Sequence, residues 1–152
     1  MAHFLKPVGT KEKNMAEEEG AVDTKRVEFA KGREPKIREG HILILFASGS
    51  QKLITYLSVV SKIQHNPENE DFPYFVHTKD WAPEYSKKWW TYNNTLGSLA
   101  SAHLAANPTN KLAATKVLNE TTFATFIYGK SSLELNTDFA YSLINTIKAG
   151  GK

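Results

Sequence analysis

The sequence predicts a mixed α+β domain organised on a small β-barrel, with short peripheral helices and a C-terminal helix. Three observations carry that expectation. Short runs rich in apolar and β-branched residues recur through the first half of the chain, punctuated by turn-forming residues. The second half holds segments of helical composition, and its last stretch carries an apolar stripe at helical spacing. The chain has 152 residues, enough to bury a real core in one domain, so a single domain over residues 1–152 is expected.

Taken in order, His3 to Val8 reads as a first strand ended by Gly9. Residues 10–24 are polar, contain Glu17-Glu-Glu-Gly20 and offer too few apolar anchors to pack; they read as a long flexible surface loop, or a short helix followed by a mobile turn. Lys25 to Phe29 alternates Val27 and Phe29 against charges and predicts a strand. Ile42 to Phe46 is continuously apolar, as expected of a central strand covered on both faces. After the Ser48-Gly-Ser50 turn, Leu53 to Ile63 predicts a partner strand.

His65 to Asp71 is a polar turn, and Phe72 to Thr78 predicts a further strand. Ala82 to Ser86 reads as a loop, and Trp89 to Tyr92 as a short strand or an exposed aromatic segment. Ser98 to Ala106 has helical composition and is stopped at Asn107-Pro108. Lys111 to Leu118 predicts a closing strand. Asn119 can cap a short helix that buries Phe123, Phe126 and Ile127 and ends at Gly129. Thr137 can cap a last helix with Ala140, Leu143, Ile144 and Ile147 on one side. About six or seven strands with helices at the joints make the barrel.

Composition removes several function classes. Cysteine is absent, which excludes disulfides, thiolate metal sites and cysteine nucleophiles. Ile42 to Ala47, the longest apolar run, is too short to cross a bilayer. Lys6, Lys11 and Lys13 interrupt any signal-peptide core, so the expected compartment is the cytoplasm, with no membrane partner. The net charge of +3 and a pI near 9.0 are compatible with a polyanion. Part of that charge is concentrated: Lys25, Arg26, Lys31, Arg33, Lys36 and Arg38 stand against Glu28 and Glu34. Such a run is either a solvated face or a nucleic-acid footprint.

Two segments carry a resemblance. Pro35-Lys-Ile-Arg-Glu-Gly-His-Ile-Leu-Ile-Leu-Phe46 places a basic turn and a glycine ahead of an apolar strand, and Tyr56-Leu-Ser-Val-Val-Ser-Lys-Ile63 follows. This pattern resembles the PUA-like superfamily, and within it the EVE-type domains. Phe72 to Thr78 sits where a third core strand is expected, and Lys116 to Phe123 looks like the closing strand and short helix. His41 stands where the family pattern carries an acidic residue after Gly40, and residues 10–24 match no motif. The resemblance spans roughly residues 3–128. It implies a PUA-like barrel that recognises RNA or DNA, in some members through a modified base in an aromatic pocket, and in many without catalytic machinery.

The candidate binding residues follow from the aromatic segment. Trp81, Trp89, Trp90 and Tyr92, with Tyr85, could wall a base, and stacking contributes roughly 1–3 kcal/mol per base. Asn93, with Lys87, Lys88 and Asn94, supplies polar groups for base edges and phosphates. The competing reading sends at least one of Trp89 and Trp90 into the core. Ser48, Ser50 and Lys52 could bind phosphate or line a pocket mouth, or simply make a turn. Arg33, Lys36 and Arg38 form the expected basic rim. Lys6 interrupts an apolar pattern and is expected to point to solvent.

Catalysis has little to build on. The five histidines lack metal-ligand spacing, so no metal or other cofactor is expected. His77 and Asp80 are close in sequence, but no Gly-x-Ser-x-Gly elbow accompanies them. The leading expectation is therefore a non-enzymatic nucleic-acid-binding domain reading a modified or flipped base. The alternatives are a small-molecule or protein-interaction module on the same fold, and an enzyme using His77 or His41 as base. RNA against DNA, a protein partner and the oligomeric state stay open.

Overall fold

The computed structural model describes residues 2–8, 22–32, 34–48, 50–107, 112–114 and 132–150. Among these, the strands are β1 (His3–Val8), β2 (Arg26–Phe29), β3 (Ile42–Ala47), β4 (Leu53–Val59), β5 (Gln64–His65), β6 (Tyr74–Asp80) and β7 (Leu133–Glu134). The helices are α1 (Pro83–Ser86), α2 (Leu96–Ala106) and α3 (Thr137–Gly150), with a 3-10 turn at Trp89–Thr91.

The strands form one sheet in the order β2-β6-β4-β3-β1-β7, with β5 also paired to β6. The sheet is curled into an open half-barrel, so the fold is mixed α+β with a C-terminal helix. The expected central strand is confirmed: β3 lies between β1 and β4, and Leu43 to Ala47 are all buried. β1 runs parallel to β3, whereas the β3–β4, β4–β6 and β2–β6 pairs are antiparallel. β2 therefore lies at one edge of the sheet although it precedes β3 in sequence.

The strand expected from Leu53 to Ile63 stops at Val59. β5 resumes pairing to β6 beyond it, at Gln64↔Phe75 and His65↔Tyr74. In the gap the Ser61 hydroxyl accepts from the His77 amide at 2.9 Å, and the Val60 amide donates to the His77 carbonyl. A side chain thus replaces a missing ladder partner at the break. At the other end, Gly40 takes a positive φ of 92°, and its amide donates to the Val59 carbonyl. That closes the turn into β3 against the end of β4.

Register assigns the two faces of the sheet, because paired residues share a face and successive residues alternate. Tyr141 of α3 meets the His3 ring edge-on at 5.2 Å, so α3 covers the face that carries His3, Leu5, Ile42 and Ile44. The other face carries Phe4, Lys6, Leu45, Thr55, Leu57 and Asp80, with Val27 and Phe29 from β2. The α3 stripe is the expected one: Ala140, Leu143, Ile144 and Ile147 are buried, joined by Phe139. α2 packs against α3, and His103 Nδ1 lies 3.0 Å from Ser142 Oγ.

Several local expectations are corrected. Asn136, rather than Thr137, caps α3, its Oδ1 accepting from the Asp138 and Phe139 amides at 3.0 and 3.4 Å. α2 begins earlier than Ser98, at Leu96, because the Thr95 hydroxyl accepts from the Ser98 amide. Ala82 to Ser86 is not an open loop. Pro83 starts α1, where its missing amide costs nothing. Trp89 to Tyr92 is neither strand nor exposed segment: Trp89–Thr91 is a 3-10 turn whose Trp89 is fully buried. Of Lys111 to Leu118, Leu112 to Ala114 are described, and Ala113 bridges to Leu135. The loop expected at 10–24 and the helix expected from Asn119 to Gly129 lie largely or wholly outside the described residues.

Candidate nucleic-acid interface

β2 and the residues before it part from β6 near Thr78. The Lys25 carbonyl accepts from the Thr78 amide, and the Thr24 carbonyl accepts from the Thr78 hydroxyl. Beyond that point the edge of β6 borders an open groove of about 620 Å³, lined by Thr24, Lys25, Lys79, Asp80, Ser86 and Lys87 among others. Lys25, Lys79 and Lys87 are exposed, so the groove presents ammonium groups to water. Lys87 also pairs with Glu84 at 3.1 Å, an exposed contact of small energetic weight.

Asp80 sets a carboxylate against this charge, held by neutral donors. Its Oδ1 accepts from the Thr55 hydroxyl at 2.6 Å and the Ala82 amide at 2.9 Å. Its Oδ2 accepts from the Ser86 hydroxyl at 2.7 Å. The carboxylate ties β4, β6 and the start of α1 together, and so fixes the groove wall. His77, three positions earlier, falls on the opposite face of β6, which separates the pair that could have suggested a catalytic dyad.

Trp81 follows at the end of β6 and is 50% exposed. Lys79, two residues before it on the same face, holds its ammonium 4.4 Å from the Trp81 ring centroid. The exposed indole thus carries an ammonium over its face, a cation–π contact open to solvent.

The other sequence-predicted residues fare differently. Trp89 is fully buried and cannot meet a base. Trp90 is half-buried, set edge-on against Trp89 with centroids 5.8 Å apart. Tyr92 stacks on the buried Tyr85 at 4.3 Å, and the Tyr85 hydroxyl accepts from Asn94 Nδ2. Burial raises the pKa of that phenol, which keeps it a neutral core group. The aromatic run therefore divides between core and rim, as adjacent amphipathic rings do. Asn93 is exposed.

Lys52 is also not a rim residue: it is 9% exposed, and its ammonium donates to the Trp90 carbonyl at 3.0 Å. The Ser50 hydroxyl accepts from the Lys52 amide, and Gln51 takes a φ of 63°. Ser48 is half-buried, and its amide donates to Val8. This region serves a strained turn more than a pocket mouth. Lys36 and Arg38 are exposed, with one Arg38 guanidinium nitrogen donating to the Ile37 carbonyl. Arg26 lies over the Phe75 ring at 3.7 Å and pairs with Glu28 at 3.5 Å. Arg33 lies outside the described residues. Of the basic run, Lys25 is the member that lines the groove beside β6.

Sequence reasoning missed Lys6. Far from pointing freely to solvent, it lines a second cleft of about 270 Å³ with Val8, Asp23, Arg26, Val27, Glu28, Leu45 and Phe72. Its ammonium donates to the Pro7 carbonyl at 3.1 Å and sits 5.4 Å from the Phe29 ring centroid. Burial pulls its pKa down from 10.5 to about 8, against the opposing attraction of Glu28. The available signal was the alternation: Phe4, Lys6 and Val8 share one face of β1, and Phe4 is core.

Among the described residues, no group of three His, Asp or Glu side chains is placed to hold a metal ion, and no helix is long and apolar enough to cross a membrane. Comparison with protein-family models, with curated proteins and with solved structures finds no match to this chain.

Proposed function

We propose that this protein is a non-catalytic nucleic-acid-binding domain on a PUA-like barrel, taking a single-stranded segment along the groove beside β6. The observation that carries this reading is the exposed Trp81 ring next to the groove formed by Lys25, Lys79 and Lys87. Phosphates would follow the lysines and one base would stack on Trp81. With Trp89 in the core, the aromatic groups favour an open platform over an enclosing cage. That favours sequence-tolerant binding over capture of one modified base.

The test is a titration of labelled single-stranded RNA and DNA at low and moderate salt. Trp81→Ala should weaken binding by about 1–3 kcal/mol. Each of Lys25→Ala, Lys79→Ala and Lys87→Ala should lower the slope of log affinity against log salt by about 0.7 per lost phosphate contact. Oligonucleotides that fail to bind at low salt, or that bind a folded Trp81→Ala variant as tightly as the parent, would overturn the proposal.

A further inference from the structure

The cleft around Lys6 is separate chemistry from the groove beside β6. An amine is held between apolar walls, with Val27 and Leu45 beside it and the Phe29 ring beneath it. Its ammonium donates to a backbone carbonyl, that of Pro7, and among the described residues no carboxylate is hydrogen-bonded to the nitrogen. The charged groups facing the cleft are Asp23, Arg26 and Glu28. Arg26 and Glu28 engage each other at 3.5 Å, and Asp23 accepts from the Lys25 amide. The cavity of about 270 Å³ lies just under the roughly 300–1,000 Å³ of typical ligand pockets, so a ligand here is small.

We propose that Lys6 is a nucleophilic amine, and that the cleft accepts a small aldehyde or ketone with an apolar body, which condenses with it. The neutral amine adds its lone pair to the carbonyl carbon, forming a C–N bond while the carbonyl oxygen takes up a proton. The resulting carbinolamine loses water and leaves a protonated imine, with no oxidant or reductant consumed. Glu28 is the acid nearest in electrostatic terms and would steady the positive imine.

Desolvation makes the nitrogen available. A lysine with a pKa of about 8 is roughly one-tenth free amine at pH 7, against fewer than about one in a thousand at the usual value. Lower basicity offsets part of that gain, because nucleophilicity falls with pKa.

The experiment treats the full chain with isovaleraldehyde and cyanoborohydride, which reduces imines as they form, and maps adducts by peptide mass spectrometry at pH 6 to 10. Lys6 should be modified about tenfold faster than the exposed lysines at pH 7, with its rate levelling near pH 8 while theirs keep rising. The exposed lysines are internal controls, so the wild-type chain alone decides the outcome. Lys6→Met should remove the fast adduct and leave the slower ones unchanged. Modification of Lys6 at or below the rate of the exposed lysines across the pH range would overturn the proposal. Oligonucleotide binding is not read in this assay, so either proposal can fail while the other stands.

Discussion

Replacing Lys6 by methionine keeps most of the side chain's length and apolar stem while removing its charge. In the folded chain the pKa falls from 10.5 to about 8, with burial as the largest cause. At 1.36 kcal/mol per unit, that displacement corresponds to a cost of about 3 kcal/mol for keeping the ammonium charged in the cleft. The lost hydrogen bond to Pro7, net about 1 kcal/mol, and the openness of the cleft reduce the return. Lys6→Met should therefore be more stable than the parent at pH 7 by about 1–2 kcal/mol.

The sign and the window follow from linkage. Because folding lowers this pKa, the unfolded chain binds more protons between about pH 8 and 10.5, so parent stability rises with pH through that interval. Below about pH 8 the cost is complete, and near 10.5 it has vanished. The advantage of Lys6→Met should be constant up to about pH 8, then shrink and pass through zero, because the lost hydrogen bond remains once the charging cost has gone. Urea unfolding of both proteins from pH 6 to 10 measures this, and the difference curve cancels every other titrating group they share. A difference that stays flat to pH 10, or a parent more stable than the variant at pH 7, would refute the assignment of a desolvated ammonium.

The tryptophans give a second contrast: Trp89→Ala should cost about 3–5 kcal/mol in chemical denaturation, because a fully buried ring is removed. Trp81→Ala should change stability by less than about 1 kcal/mol, since half of that side chain already meets water. Equal losses for the two would contradict their separation into core and surface. For the helix start, Asn136→Ala should cost about 1 kcal/mol, whereas Thr137→Ala should be close to neutral. Thermal or urea unfolding of the pair distinguishes the caps, and the reverse ranking would return the cap to Thr137.

The elements that sequence determined are those whose signal is local. Ile42 to Ala47 is apolar at every position, and only a strand covered on both faces tolerates that, so the centre of the sheet was legible. The stripe Ala140, Leu143, Ile144 and Ile147 has helical period and one dry side, so α3 was legible too. The cap was misread by one position because Asn and Thr are both good caps, and the choice depends on which oxygen reaches the amides. α1 and the 3-10 turn are short, and a single turn has too few residues for periodicity to reveal it.

Tertiary structure alone decided which polar and aromatic groups face water. Trp89 and Trp90 are neighbours of one residue type, yet the 3-10 turn buries one and leaves the other half-buried. Lys52 and Lys79 look alike in sequence. One donates to a carbonyl thirty-eight residues away, and the other lies over Trp81 beside an open groove. Lys6 owes its lowered basicity to burial, against the opposing pull of Glu28, and the Phe29 ring lies near its ammonium because Phe29 and Lys6 share one face of a curled sheet. Periodicity records which side of a strand a residue takes. What stands opposite that side is set by long-range pairing, and there the candidate interface and the Lys6 cleft were decided.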